Sequence, residues 1–516
     1  MQHKSYPLEQ LNSFSGLLLD YLSGKEELKN LYGYSPHLQS FEHQIQSKSD
    51  FSLSKRETLV KVLKKQYAEQ ADSKNIDQLL DAKTFTVTTG HQLNLFTGPL
   101  YVIYKIVSTI NLAKKLKQQF PDYHFVPVYW MATEDHDWDE INHFYCFGKK
   151  YTFETHQKGP VGQFTLEEMP AFLASFPEKV ELFHNAYLTG KTLTDAVRMY
   201  MHALFPNENL ICIDGDDADL KRAFIPVMEA DLFQFKHLDL VNEKNQDLEK
   251  LGYKPQIHAR EINFFYLEKG FRERIECHEG KYQVVHSSIE WTKEELQNEI
   301  NAHPEKFSPN VVLRPLYQET ILPNLAYLGG GAEVAYWLQL KGIFDAHQVL
   351  YPILLPRNFA LVLSPQQQQR IQKLDFPLQD LFLDDITLKK KFVEDHSDKI
   401  LDFNEEQSLI DPIIQQILLK IGAVDKTLEA SVLAEKHKWV TGLENLEKRM
   451  KKAEERNQEI HVQQLLTLKS KLFPEGHWQE RHDNFLNFYL NYPHFIQDLL
   501  DIFDPLNFEL YVLELA

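Results

Sequence analysis

Ten consecutive positions, Glu134-Asp-His-Asp-Trp-Asp-Glu-Ile-Asn-His143, hold five acidic residues, two histidines and no lysine or arginine. Like charge at that density is costly unless a cation offsets it. A divalent metal would do so, as would a primary amine held beside a general base, and Asp135, His136 and Asp137 are the candidates for that work. The structural alternative is a helix N-terminus stabilised by acidic side chains. A second candidate is Thr89-Gly90-His91-Gln92, which leads through a short loop to Thr97-Gly98-Pro99. Glycine lets a ligand approach the backbone, and His91 would project from the turn to stabilise phosphate or act as acid or base. The alternative is a histidine that caps its own loop. A third is Gly329-Gly330-Gly331 with Glu333, preceded by Arg314 and followed by Arg357. Three glycines make a platform for ribose or phosphate, and each arginine could clamp a carboxylate or phosphate, or else form a surface ion pair.

These residues need elements to hold them. Residues 1–80 read as helical, with Leu11, Phe14, Leu18, Leu19 and Leu22 at helical spacing. Thr84–Thr89 reads as a strand ending at Gly90, and Gly98-Pro99 opens an amphipathic helix with Leu100, Ile103, Tyr104, Val107 and Ile110 on one face. Further apolar runs at 125–131, 210–213 and 349–355 each stop in polar residues, namely the acidic block, Asp214–Asp217 and Pro356-Arg357-Asn358. Apolar strands alternating with helices predict an α/β fold with a parallel sheet, whose ligands sit outside the carboxyl ends of the strands. The spacing divides the chain into 1–143 (N-terminal helices and first half of the core), an insertion at 144–204, core again at 205–240, a second insertion at 241–308 and the end of the core at 309–365. The second insertion carries an alternating stretch, His258–Leu267, and a β-unit around Tyr282–His286. Residues 366–516 read as a helical coiled-coil domain: Trp439, Leu443, Leu446, Met450, Ala453, Asn457 and Ile460 follow a heptad seam with charged flanks, which predicts a homodimer through this helix.

Composition narrows the function. The 516 residues hold 55 Lys plus Arg against 74 Asp plus Glu, a net charge of −19, which argues against nucleic acid or an anionic membrane surface as partner. Small anionic substrates remain compatible with one local basic pocket. Cys146, Cys212 and Cys277 form no CxxC pair, so neither a disulfide framework nor a thiolate zinc site is expected. The N-terminus has no apolar signal region and no run of 18 apolar residues occurs, which leads to the expectation of a soluble, cytoplasmic protein.

The blocks GHQLNLFTGPLYVIYK (90–105), VYWMATEDHDWDEINH (128–143), GYKPQIHAREINFFYL (252–267), NVVLRPLYQE (310–319) and GGGAEVAYWLQLK (329–341) closely resemble the cysteine-adding enzymes of bacillithiol biosynthesis, the BshC family. The resemblance implies a Rossmann-like core related to nucleotidyltransferases and class I aminoacyl-tRNA synthetases, two connecting-peptide insertions and a dimerising coiled coil. It implies ligation of cysteine to glucosaminyl-malate, giving bacillithiol, through an activated carboxylate. On that reading Gly90, Thr97, Gly98, Gly329, Gly330, Gly331 and Glu333 bind ATP or another nucleotide, and His91 works beside them. Asp135, His136 and Asp137 hold or deprotonate the amine, while Gln92, Arg314, Tyr317 and Arg357 contact substrate. Neither the HxGH motif nor the KMSKS loop of class I synthetases occurs, so the activating cosubstrate stays open, as does a metal. Two other readings remain: a nucleotide-binding scaffold protein, and a metal-dependent hydrolase built on the acidic block.

Overall fold

Thr84-Phe-Thr-Val-Thr-Thr is β-branched or aromatic at every position, a composition that favours extended chain. In the computed structural model of the protein it forms β1 (Thr84–His91). The structure describes residues 1–67 and 74–516; the helical expectation for 68–73 lies outside the described residues. Parallel to β1 run β2 (His124–Met131), β3 (Ile211–Asp214), β4 (Asn324–Gly329) and β5 (Ile353–Pro356), in the order β5-β4-β1-β2-β3. This is the α/β class with a parallel Rossmann-like core that the sequence predicts. The chain steps outward from β1 to β2 and β3, then returns to the far side of β1 for β4 and β5. The reversal between β1 and β4 opens a crevice at their carboxyl ends, where ligands of such sheets bind.

The sequence reading finds four of these strands and takes the fifth, β4, as the approach to the glycine platform. β4 is six residues long and buried at every position, so it lacks the polar-apolar alternation that marks a strand with one wet face. One face of the sheet clusters Phe85, Val87, Leu325 and Ile353 with Leu112 and Leu116 of α1 (Tyr101–Gln119). The other clusters Val126, Val128, Ile211 and Tyr327 with Leu63, Leu316 and Trp337. Helix α1 is not amphipathic in its setting: Lys105, Ser108, Thr109 and Asn111 are buried along with its apolar residues. The Ser108 hydroxyl reaches Asn358 Oδ1 at 2.9 Å, and the Asn111 amide donates to the Leu500 and Phe503 carbonyls at 2.9 and 2.7 Å.

Leu500 and Phe503 belong to a segment that the heptad pattern assigns to the C-terminal domain. In the structure the first compact unit comprises Met1–Glu9, Phe14–Leu361 and Gln479–Leu513, and the second comprises Gln10–Ser13, Val362–Trp478 and Glu514–Ala516. Burial of Phe485, Leu486, Phe495 and Leu499 accounts for the return of 479–513 to the first unit. The N-terminal region also departs from the all-helical expectation. It begins with a strand, Gln2–Pro7, and its helices are Gly16–Leu22, Ser40–Lys48, Leu53–Tyr67 and Lys74–Gln78.

Of the two insertions, the first is a hairpin, His143–Cys146 with Lys149–Thr152, followed by three helices ending at Leu204. The second carries a five-stranded antiparallel sheet in which Phe264–Glu268 lies between Phe271–His278 and Phe307–Pro309. Only 264–268 of the alternating stretch 258–267 is strand.

In the second unit, α3 (Asn404–Gly422) and α4 (Glu429–Asn457) form a helical hairpin, and α5 (Glu459–Leu472) follows; α2 (Gly331–Trp337) belongs to the first unit. The hairpin core is Ile410 and Ile414 against Val432, with Val440 and Leu443 alongside. The heptad seam therefore divides. Leu443 faces the hairpin, whereas Trp439 and Leu446 are 42% and 51% exposed. The helix also ends at Asn457, so Ile460 starts a new one and the seam does not run through it. Among the described residues no helix is long and apolar enough to cross a membrane.

A buried polar staple ties β1 to β4. Asn324 Oδ1 accepts from the Thr86 and Thr88 hydroxyls at 3.1 and 2.8 Å, and its amide donates to Glu319 Oε1 at 2.6 Å. Removing Asn324 strands two hydroxyls and a buried carboxylate at once. Asn324→Ala is expected to cost about 3 kcal/mol in urea unfolding, well above a typical single hydrogen bond; a loss below about 1 kcal/mol would show that the staple does not hold this strand pair.

Candidate active site

The carboxyl ends of β1 and β4 meet through one lysine. Lys105, on the first turn and a half of α1, is 2% exposed; its ammonium donates to the Gly90 carbonyl at 2.8 Å and pairs with Glu333 Oε1 at 2.5 Å. Glu333 Oε1 also accepts from the Gly330 N–H at 3.0 Å, and Oε2 from the Tyr327 hydroxyl at 2.8 Å. Burial pushes the Glu333 carboxyl up, but the Lys105 charge and these hydrogen bonds outweigh it and hold the pKa at about 2. The glutamate expected to bind a ribose is thus an anion already engaged by the protein. Gly329 lies so close that a Cβ there would stand 2.7 Å from Glu333 Cβ, so this glycine serves the packing of the acid.

Beside them Gly90 is itself buried, with no more than a methyl-sized space beside its backbone. A Cβ on it would meet the Tyr327 hydroxyl at 3.5 Å and Arg314 Nη1 at 3.6 Å. The Arg314 guanidinium lies 5.6 Å from the Tyr327 ring centre and 6.0 Å from those of Trp130 and Trp337, and donates to Gln318 at 3.0 Å. Among the described residues no carboxylate pairs with it, which leaves its charge for an anion. His91 closes the same corner, its Nε2 lying 3.4 Å from the Tyr101 hydroxyl. Burial, then the Lys105 and Arg357 charges, hold its pKa down at about 3 against the pull of Glu333. The ring is neutral at physiological pH.

Gln92 joins this corner to the acidic loop after β2. Its amide donates to Asp135 Oδ2 at 2.7 Å and to Glu140 Oε2 at 2.9 Å. Asp135 Oδ1 accepts from the His136 N–H at 2.7 Å, which folds the loop on itself. Part of the charge that looks unrelieved in the sequence is offset from outside the block. Lys221, fully buried, pairs with Glu134 at 2.6 Å and Asp216 at 2.9 Å. Arg272, from the second insertion, lies 2.9 Å from His136 Nδ1. Among the described residues Asp135, Asp137, Asp139 and Glu140 have no lysine or arginine ion pair, so the fold itself neutralises only part of the block. Among the described residues no three His, Cys, Asp or Glu side chains converge to hold a metal. Asp137 is exposed at the start of the short helix Trp138–Ile141. Asp214, at the end of β3, accepts from the Thr133 hydroxyl at 2.5 Å, and burial, followed by the neighbouring Asp216, pushes its carboxyl up to about 7.

Four expected ligand contacts are placed elsewhere. Arg357 is 2% exposed, with a two-pronged ion pair to Glu480 at 2.9 and 2.5 Å, so its charge is spent inside the protein. The Tyr317 hydroxyl donates to the Gly215 carbonyl at 2.8 Å, and the ring packs edge-on against Trp130. Gly98 has φ +64, and Asn94 fills the place of its absent Cβ at 2.6 Å, so this glycine serves the turn and not a ligand. Thr97 is 1% exposed, also with positive φ, between carbonyls of Phe96 and Gly98 that both accept from the Asn484 amide. The sequence reading misses Lys105, Tyr327, Lys221, Arg272 and Glu480, and names Asp214 only as the end of a strand. Of those missed, Lys105 left a local mark, as a lysine between Tyr104 and Ile106 in an apolar run.

Residues 1–358 match the family model described as the N-terminal Rossmann-like domain of bacillithiol biosynthesis BshC, and residues 360–515 match the C-terminal coiled-coil domain of the same family. A relative from Flavobacterium johnsoniae bearing the provisional name cysteine ligase BshC is 44% identical over 492 residues, covering 92% of this chain and 93% of the relative. One from Cytophaga hutchinsonii with the same name is 39% identical over 98% of this chain and 97% of its own. One from Bacillus thuringiensis is 28% identical over 92% of this chain and 93% of its own.

Breaking a buried ion pair leaves an uncompensated charge, whereas replacing both partners with apolar groups does not. Arg357→Met and Glu480→Leu should each destabilise the protein by about 3–5 kcal/mol, and the double variant should recover most of the loss. Denaturant unfolding reads the cycle. An Arg357→Met protein of unchanged stability would return this residue to the substrate contacts.

Proposed function

The chain belongs to the BshC family of bacillithiol biosynthesis, and from that premise we propose that it is a ligase forming the amide bond between the carboxyl of cysteine and the amine of glucosaminyl-malate. The observation that carries this is the junction at Gln92. An anion corner built from Gly90, Arg314 and the Lys105–Glu333 pair lies one residue from an amide shared by two carboxylates, Asp135 and Glu140. A carboxylate and an ammonium do not condense at neutral pH, because one is unreactive as an anion and the other carries its proton. A ligase must hold an activated acyl group and an amine side by side. The corner supplies charge for acyl or phosphate oxygens; the acidic loop supplies carboxylates that attract an ammonium and lower its freedom to turn away.

ATP or another nucleotide fits the anion side of this reading. Gly90 leaves a space the size of one atom, and Arg314 and the backbone of Gly331 are the groups that would hold an oxygen, the Gly330 N–H being taken by Glu333. When bound, it would supply the leaving group that makes the cysteine carboxylate electrophilic. The chain's own residues orient the reactants: neutral His91 gives the corner a hydrogen-bonding group without adding charge, and Lys105 keeps Glu333 from repelling the phosphate or acyl oxygens. A cysteine substrate needs its thiol reduced, which fits a cytoplasmic setting.

Full-length protein with cysteine, glucosaminyl-malate and ATP should yield bacillithiol by mass spectrometry; absence of product with every nucleotide tried would sink the ligase reading. Asp135→Asn keeps the shape of the loop but removes its charge, and is expected to lower kcat by roughly 100-fold. Its stability should stay within about 0.5 kcal/mol of the parent. Full turnover in that variant would remove Asp135 from the reaction.

We further propose that the protein is a homodimer through α4. Trp439 and Leu446 lie seven residues apart, one heptad, and are exposed in the single chain. Burying each such side chain contributes about 1.5–3 kcal/mol, enough across several residues to offset association costs at micromolar concentration. Light scattering should give twice the 60.5 kDa chain mass for the parent and the single mass for Leu446→Glu. A monomeric parent, or a dimeric variant, would place any interface elsewhere.

A further inference from the structure

We propose that Arg272, carried by the second insertion, is a positioning residue that locks His136 as the neutral imidazole protonated at Nε2, so that His136 donates a hydrogen bond to an anionic oxygen of bound substrate and does not act as a base. The proposal deepens the ligase reading and rests on it for the identity of that substrate; the tautomer itself does not depend on it.

The geometry permits one assignment. A guanidinium has donors and no acceptor, so with Arg272 Nη1 at 2.9 Å the Nδ1 atom of His136 must present its lone pair. The neutral ring then carries its proton on Nε2, and a doubly protonated ring would set N–H against N–H. Arg272 is itself fastened. Its Nε donates to the Ser308 hydroxyl at 3.1 Å, and its plane lies 4.0 Å from the centre of the Phe265 ring. Ser308 and Phe265 are register partners in the antiparallel sheet of the insertion, so one pair of strands fixes both the edge and the face of the guanidinium. On the other side, the His136 backbone N–H is held by Asp135 Oδ1, and its ring stands 5.8 Å from Phe265.

The charged groups facing the ring are Asp135 and Asp137 on its own loop and Arg272 and Glu273 on the insertion strand. Burial and the Arg272 charge lower the His136 pKa, and the three acids oppose them without reversing the shift. Arg272 faces Glu134, Asp135 and Asp216 in turn, which retain its positive charge beside the ring. A neutral imidazole with its N–H outward, next to a cation, suits a carboxylate, a phosphate or the oxygen of a polarised acyl group. It is a poor acceptor for an ammonium proton, because its one lone pair is already taken.

Three measurements on the full-length protein test this. In histidine 15N NMR at neutral pH without substrate, the His136 resonances, identified by their loss in His136→Gln, should show the proton on Nε2 and an unprotonated Nδ1; a proton on Nδ1 would overturn the proposal. Arg272→Met should abolish that fixed pattern and move the acid limb of kcat/KM upward, toward the ordinary histidine value of about 6.5, while Arg272→Lys, also a donor-only cation, should keep the parent profile. An Arg272→Met protein with the parent tautomer and pH profile would show that the arginine does not set the ring. Finally, His136→Ala should lose roughly 100-fold in kcat. His136→Gln, whose amide N–H lies where Nε2 stood, should regain most of it, and His136→Asn, which imitates Nδ1, should not. Equal failure of the glutamine and alanine variants would overturn the donor role. A parent without ligase activity would sink the function reading alone, since the NMR result stands or falls without turnover.

Discussion

The ammonium of Lys105 lies inside an α/β sheet, and removing such a group from water costs several kcal/mol unless a counter-charge and hydrogen bonds meet it. Glu333 and the Gly90 carbonyl meet it here. Because Lys105 belongs to α1, Gly90 to β1 and Glu333 to the first turn of α2, which follows β4, the pair fixes three elements at the point where the strand order reverses. Gly329 must then lack a side chain so that Glu333 can approach, and Tyr327 must turn its hydroxyl to the second carboxylate oxygen. The close approach at Gly329 and the orientation of Tyr327 follow from satisfying one buried cation, whose charge adds to burial in keeping His91 neutral.

The acidic loop obeys the same constraint with the signs exchanged. Five carboxylates after a buried strand would repel one another, and Lys221 and Arg272 arrive from separate parts of the fold to offset part of that charge. The two halves of the site are therefore built by opposite excesses of charge, basic beside Gly90 and acidic beside Asp135, and Gln92 spans the boundary with a neutral amide. A reaction between an anionic acyl donor and a cationic amine needs that polarity across a few ångströms. The second insertion reaches this loop as well, because its sheet aims Arg272 at His136.

In the second unit the heptad pattern does two jobs. Val432, Val440 and Leu443 close the hairpin on α3, whereas Trp439 and Leu446 stay exposed. Val432, Trp439 and Leu446 are seven residues apart and share one stripe, so the hairpin covers the start of that stripe and leaves its continuation open. Reading all of them as one seam overstates its length, and the break after Asn457 shortens it further.

By itself the sequence determined the α/β class, the position of β1, β2 and β3, the helical second unit and the neighbourhood of the site, since periodicity, β-branched runs and glycine turns act over a few residues and are legible within a window. It also located His91, Gln92, Asp135 and His136 at strand ends that the fold does bring together. It could not show which charges are spent. Lys221 and Glu134 are 87 residues apart, Arg357 and Glu480 are 123 apart, and Arg272 and His136 are 136 apart. Coulomb energy depends on distance in space and on burial, and both are set only when the sheet order and the insertions place distant segments side by side. That is why Arg357 reads as a ligand clamp and is a core ion pair, why Tyr317 reads as a substrate contact and packs on Trp130, and why Glu134 reads as unpaired although the fold gives it Lys221.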